Sequence, residues 1–306
     1  MVHCEANSDC SPSVSRLSCD NSIALAAHCW TATGTDNVEQ GLICLQDTLR
    51  YSANGGNVNL VVQNLDTSVF SAVLPDDIHW QSTLNGRVQA NWQQGANPTV
   101  NAVMYSDNGR VGLDQDGAYV EMSYERVSII AQSVTEGLKL RADIAGSAAR
   151  GYADVVIDPF QGNQKPISGA LLINDINLAE LRPIYPNFQT LTGTANIAGG
   201  LGGTLSQPLF YGNADLSNGV LAVAGVPINL SNINANAQIR GTNAVLTGDF
   251  TAGQGDGELS GEFDWSQTLQ ARLRISGEDL DVSQPPLVTA KMTPDIEVIV
   301  RPFEKY

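Results

Sequence analysis

The sequence predicts an all-β fold: one long sheet with a dry face and a wet face, accompanied by two short helices. Three observations carry this. First, His79 to Gln93 alternate almost without error, with Trp80, Leu84, Val88, Ala90 and Trp92 on one parity and polar residues on the other. Successive side chains of a strand point to opposite faces, so this stretch is a strand with one apolar side. Second, the same one-sided alternation returns along the chain as far as Ile275. Third, charged residues make up only 16%, below the roughly 25% of an average soluble domain.

Length and charge bound the function. A chain of 306 residues suggests about two domains, although long all-β bodies run this far as one. The net charge is −16, from 16 basic and 32 acidic residues. That argues against nucleic acid, whose phosphates require a Lys/Arg footprint, and disfavours adsorption to an anionic membrane surface. No apolar run approaches the roughly 18–20 residues of a spanning helix. The opening MVHCEANSDC shows no apolar signal-peptide core, so the expectation is a piece of a longer protein.

Taken in order, residues 1–56 hold all five cysteines, Cys4, Cys10, Cys19, Cys29 and Cys44. Their spacings do not form the short pairs of a zinc site, so no metal is expected. Cys29 and Cys44 each open a short apolar segment on either side of the turn-rich TATGTDNVEQG. Two adjacent strands joined there bring the pair within bridging distance. A disulfide would contribute about 3 kcal/mol and imply an oxidising compartment. The other three cysteines cannot be paired from spacing.

Residues 57–168 form a first repeat. A strand over 57–64 leads into LDTSVFSAVLP, where Val69, Phe70, Val73 and Leu74 recur at helical spacing between caps Asp66 and Thr67 and the stop Pro75. The long strand follows, then a turn at 95–98, a strand over 99–106, and Asn108-Gly109 as a hairpin turn. The segments AYVEM, RVSIIA, LKLRADI and YADVVID read as further strands. Residues 169–306 form a second repeat and the closing strands. NLAELRPIYPNF is again a short helix ended by proline, with Pro186 at an offset of 111 from Pro75. Asn218-Gly219 answers Asn108-Gly109 at an offset of 110. A helix, long strand and Asn-Gly recurring in order mark an internal repeat.

The dry parity nominates a candidate apolar groove. Its residues are Trp80, Leu84, Val88 and Trp92 in the first repeat. In the second they are Leu191, Ile197, Leu201, Leu205, Ile239, Leu246, Phe250, Leu259, Phe263, Trp265, Leu269, Leu273 and Ile275. Glycine and alanine interleave with them and fill little volume. A sheet curled on itself then leaves a trough for something apolar and extended, acyl chains or an unfolded strand. A fully packed sandwich with no cargo accounts for the same pattern.

Catalytic and cofactor chemistry finds no foothold. Three histidines, His3, His28 and His79, stand without a nucleophile-elbow or metalloprotease motif, so no catalytic residue and no cofactor are expected. GGLGG at 199–203 lacks the following Lys-Ser/Thr of a phosphate loop and continues an alternating strand. Asp114 to Gly117 lacks the closing Glu of a calcium loop and reads as a turn. GQGDG at 253–257 reads as a hairpin.

Beside this reading stands a resemblance. GALLINDINLAELRPIYPNFQTLTGTANIAGGLGGTL through Ile233, GELSGEFDW at 257–265, and the ISGEDLDVSQPP…MTPDI run resemble the TamB family of Gram-negative envelope proteins. QNLDTSVFSAVLPDDIHWQSTLNGRVQANW and the Cys-Trp…Cys-Leu pair are similar to the segment that precedes it there. The resemblance implies an elongated curled sheet, a β-taco, with an apolar interior groove. It implies a periplasmic location, with the inner-membrane anchor of the full protein outside this chain, and a reach toward an outer-membrane barrel, TamA. Its expected roles are phospholipid transport and outer-membrane biogenesis, with phospholipid acyl chains as cargo. The alternative is a chaperone-like assembly factor holding outer-membrane protein strands together with the TamA barrel. A secreted adhesin or β-solenoid, with a filled interior, is a third reading.

Overall fold

The computed structural model describes residues 23–33, 39–52, 54–71, 74–115, 118–158, 165–185, 187–284 and 288–300. Cys4, Cys10, Cys19, Val73, Pro186, the loop at 34–38 and the turn at 116–117 lie outside these. The chain divides into two compact units, Met1–Gly146 with Asp154–Phe160, and Ser147–Ala153 with Gln161–Tyr306. The fold is all-β and its strand pairings are antiparallel.

The first unit holds β1 (Ile23–Leu25), β2 (His28–Thr33), β3 (Glu39–Leu45), β4 (Leu49–Ser52) and β5 (Gly55–Asp66). A 3-10 turn (Thr67–Phe70) leads to β6 (Ile78–Gln81), β7 (Thr83–Gln93), β8 (Thr99–Gln115), β9 (Ala118–Val134) and β10 (Gly137–Ala145). Pairing runs β2–β3–β5–β7–β8–β9–β10. β4 joins β5 to β1, and β6 extends the β7 side of β8. Residues 39–52 thus belong to the same sheet as the first repeat. β11 (Arg150–Ile157) has residues in both units.

The second unit runs β12 (Ile167–Asn177), α1 (Leu178–Leu181) with a 3-10 turn after it (Arg182–Ile184), β13 (Phe188–Gly203), β14 (Pro208–Val223) and β15 (Asn229–Gly241). It continues with β16 (Asn243–Ala252), β17 (Gly255–Asp264), β18 (Gln270–Glu278), β19 (Leu280–Gln284), β20 (Val288–Met292) and β21 (Asp295–Val300). β12 to β18 pair in sequence order, β21 pairs on β18, and β19–β20 form a separate ribbon. Among the described residues no pairing joins β21 to β12, so this row of strands is open.

Three sequence readings need correction. Asn108-Gly109 and Asn218-Gly219 are not hairpin turns; they lie inside β8 and β14. Asn108 and Asn218 have φ of 52° and 53°, the left-handed conformation that a turn and a β-bulge both use. At Asn218 the register slips from Thr192↔Val220 to Thr194↔Ser217, so one extra residue sits in β14. The strand from His79 is interrupted at Ser82, whose N–H is taken by the Thr67 hydroxyl at 2.8 Å and whose carbonyl accepts the Thr67 N–H. A tertiary partner overrode a local pattern there. AYVEM and RVSIIA are one strand, β9.

The two helical segments are short, as expected, one of them 3-10. Asp66 caps the first by accepting from the Ser68 N–H at 2.8 Å, and Asn177 caps α1 by accepting from the Ala179 N–H at 3.1 Å. Each satisfies an otherwise orphaned donor.

Candidate functional site

Residues directly opposite in paired strands share a face, so the registers show which apolar residues meet. In the second unit Ile197 is followed across the sheet by Ala214, Ala237, Leu246, Gly261, Leu273 and Val298. A second row carries Gly199, Gly212, Ile239, Ala244, Phe263 and Ala271. A third carries Ala195, Leu216, Ala235, Gly248, Leu259 and Ile275. Of the nominated residues, seven therefore fall in three adjacent rows on one face: Ile197, Leu246 and Leu273, then Ile239 and Phe263, then Leu259 and Ile275. Leu201 faces Phe210 beside them. The rows intersperse bulky side chains with glycine and alanine, and their bulky members other than Val298 are half-buried, while Val245 and Thr247 on the opposite face are exposed.

Part of this face is covered. Phe250, Ala252 and Leu280 form a buried cluster, against which Ile228, Leu230, Ile233 and Ile275 pack. Leu280 comes from β19, held by Ser283 N–H to Pro227 O at 2.8 Å. Phe250, 5% exposed, is thus core. Leu191 faces Leu221, which faces Leu230 at the border of that cluster. Leu205, Trp265 and Leu269 lie outside the strands, in the connections after β13 and between β17 and β18. They are 52%, 41% and 54% exposed. The Asp264 carboxylate accepts from Ser266 at 2.8 Å and fixes the second of these turns. Hydrogen bonding from the Ser266 side chain, and then from its backbone N–H, holds the Asp264 carboxyl below the usual carboxylate range.

The first unit repeats the arrangement with different covering. Leu45, Leu60, Val88, Ala102, Ala131 and Leu140 form one row, Val62, Gly86 and Met104 lie in the next, and Leu65 and Leu84 meet in the one after. Val62 and Leu65 are the buried centre there, with Val69, Phe70, Leu84 and Met104 against them. The 3-10 turn therefore lies on the apolar face. Trp80 stacks on Phe70 at 6.1 Å between ring centroids and donates its indole N–H to the Tyr124 hydroxyl at 2.7 Å. Tyr124, Ser106 and Ser82 hydroxyls continue as a chain at 2.6 Å each. Trp92 lies across Gly56 beside Tyr51, whose ring centroid is 5.9 Å away.

Cys29 and Cys44 are direct cross-strand partners in β2 and β3 and are disulfide-bonded, with Cα atoms 4.0 Å apart. The pair ties β2 to the sheet through the buried Cys44. His79 lies on the wet side with its Nε2 2.9 Å from Asp114. Among the described residues no group of three His, Cys, Asp or Glu side chains could hold a metal ion.

Phe70, Tyr124 and Leu280 were not read from the sequence as covering residues. Asp279, left-handed at φ 53°, turns the chain from β18 into β19 and so brings Leu280 to its place. The arrangement offers a wide apolar sheet face, partly covered. The family model of the TamB N-terminal domain matches residues 13–216, two thirds of the chain. No solved structure matches it.

Proposed function

Because the chain belongs to the TamB family of envelope proteins, we propose that it is a periplasmic segment of an inner-to-outer membrane bridge whose apolar face carries phospholipid acyl chains. The observation that supports this is the set of rows through Ile197, Ile239 and Leu259, apolar on one side and only half-buried. The row from Ile197 to Val298 crosses seven strands, which at a spacing of about 4.8 Å span roughly 29 Å. An acyl chain spans half of a hydrocarbon core, about 15 Å, so one fits with room to move along the row. Each methylene withdrawn from water contributes about 0.8 kcal/mol, enough to hold a chain without a specific pocket. The interleaved glycine and alanine leave room between the bulky residues. Among the described residues no helix is long and apolar enough to cross a membrane. The Cys29–Cys44 disulfide suits an oxidising compartment.

The rival reading, an assembly factor for outer-membrane proteins acting with a TamA-like barrel, needs a free strand edge as well as a dry wall. Native mass spectrometry of the purified chain separates the two. Co-purified phospholipid, lost on placing a carboxylate in the central rows, supports the conduit. Absence of lipid with retained polypeptide clients would reject it.

A further inference from the structure

The polar face of the first unit carries a row of side-chain amides. Strand neighbours point to opposite faces, so beside the apolar row of Leu60, Val88, Ala102 and Ala131 stand Asn59, Gln89, Asn101 and Gln132 on the other face. These four are in direct register across β5, β7, β8 and β9. Two residues along the strands, Asn57, Asn91 and Thr99 form a second polar row, which β4 extends with Arg50. On the other side of the amide row Arg87 stands between Val61 and Val103. A cleft of about 760 Å³ is lined by Arg50, Asn57, Asn91, Gln93 and Asn97, and one of about 570 Å³ by Arg87, Asn85 and Tyr105.

The charge of this face runs against that of the chain. The sequence carries a net −16, yet no carboxylate lines either cleft among the described residues. Among the described residues neither Arg50 nor Arg87 has an ion-pair partner. Asp47 accepts from Asn59 Nδ2 at 2.8 Å, and Gln89 Nε2 donates to Asn59 Oδ1 at 3.4 Å. The side chains of Asn91, Asn101 and Gln132 make no hydrogen bond to another described residue, so each offers a donor and an acceptor outward.

Those groups narrow the ligand. Nucleic acid needs a broader cationic footprint than two arginines. A polypeptide docking by its main chain needs a strand edge, and β5, β7 and β8 are paired on both sides. The row advances about 4.8 Å per strand, close to the advance of one β-linked sugar in an extended polysaccharide. A side-chain amide meets an acetamide group with donor and acceptor at once, and a guanidinium takes a carboxylate through two parallel hydrogen bonds.

We propose that this face binds a β-linked polysaccharide of N-acetylated sugars that carries carboxylates. Its acetamides lie along Asn59, Gln89, Asn101 and Gln132, and its carboxylates reach Arg50 and Arg87. The site lies on the opposite side of the sheet from the apolar rows and does not depend on lipid binding.

The test is titration calorimetry of the whole chain with two tetrasaccharides, one alternating N-acetylglucosamine with N-acetylmuramic acid, the other N-acetylglucosamine alone. The acidic sugar is expected to bind about tenfold more tightly, an advantage that fades as salt rises. Arg50→Gln and Arg87→Gln should each bring it toward the affinity of the neutral sugar, and Gln89→Ala should weaken both sugars alike, with circular dichroism unchanged. Should a variant misfold, the unmodified protein gives the same answer: the side-chain amide NMR signals of Asn91, Asn101 and Gln132 shift when the acidic sugar is added. Failure of both sugars to bind, equal affinity for the two, indifference to both arginine variants, or unmoved amide signals would overturn the proposal. So would a DNA oligonucleotide that binds more tightly than the acidic sugar and is lost in Arg87→Gln, because phosphate would then be the ligand. Phospholipid occupancy is expected to be unchanged in Arg87→Gln; its loss together with sugar binding would place both ligands at one site and contradict the assignment.

Discussion

The backbone N–H of Asn64 donates to the side-chain oxygen of Asn85 on the neighbouring strand at 2.8 Å. Asn64 has φ 49° and is the extra residue where the register steps from Val62↔Gly86 to Leu65↔Leu84. The same device recurs 111 positions on, where the Asp175 N–H (φ 54°) donates to Asn196 Oδ1 at 3.0 Å. It appears again where Asn218 donates to Asn234 at 3.2 Å. A left-handed residue frees its N–H from the ladder, and an asparagine opposite accepts it. In the first two cases the capped helix begins three residues later, at Thr67 and Leu178.

Asn85→Ala removes that acceptor and is expected to cost about 1 kcal/mol. Asn196→Ala should do the same in the second unit. Chemical denaturation of each variant measures it; no loss in either would mean that the bulges persist without their asparagines.

Thr67 is fully buried. Its hydroxyl reaches the Trp80 and Ser82 carbonyls at 2.8 and 3.1 Å and accepts the Ser82 N–H. Thr67→Val keeps the shape and strands that N–H, at an expected cost of about 1–3 kcal/mol. Ser68→Ala, exposed next door, should be silent in the same thermal melt.

Reducing Cys29–Cys44 reopens a loop with a sequence separation of 15, with an expected loss of about 3 kcal/mol. Peptide mapping without reductant should find residues 29 and 44 linked, and free thiols at both in material from an oxidising compartment would contradict the pairing.

The Arg274 guanidinium, bonded to Asp295 through two nitrogens at 2.8 Å each, holds that carboxyl below the usual aspartate range. A carboxyl depressed in the folded state contributes stability above its ordinary value and loses it as pH falls through the folded value. β21 amides should therefore exchange faster as acid protonates Asp295. An NMR titration should show the Asp295 value rising in Arg274→Gln; an unmoved value would remove Arg274 as its cause.

The sheet was legible because alternation survives in Ile239, Leu246 and Leu259, where nothing but the pleat decides which way a side chain points. Asn108-Gly109 misled for a physical reason: the left-handed conformation asparagine tolerates serves a hairpin turn and a bulge equally, and only the partner strand distinguishes them. Ser82 broke the long strand because Thr67, fifteen residues earlier, takes its hydrogen bonds. Parity also carries past the strand ends, so it groups Leu205, Trp265 and Leu269 with the groove although they sit in connections. Coverage of Phe250 by Leu280 and of Trp80 by Phe70 depends on segments that pack onto the face, and alternation along a strand holds no record of what lies above it.

Leu201→Asp puts a carboxylate beside Phe210 on the apolar face. With the face open the charge keeps part of its water, and the melting midpoint should fall little; a packed core would lose several kcal/mol. Thr204→Asp, beyond the strand end, is the control for added charge.

The most direct measurement is binding of a fluorescent acyl-chain phospholipid to Leu246→Asp and Val245→Asp. These neighbours on β16 point to opposite faces, Leu246 within the row through Ile197 and Leu273, Val245 to the exposed side opposite Glu262. Leu246→Asp is expected to abolish lipid binding with folding retained, and Val245→Asp to leave it unchanged. Lipid binding untouched by Leu246→Asp in a folded protein, or lost equally in both variants, would contradict it.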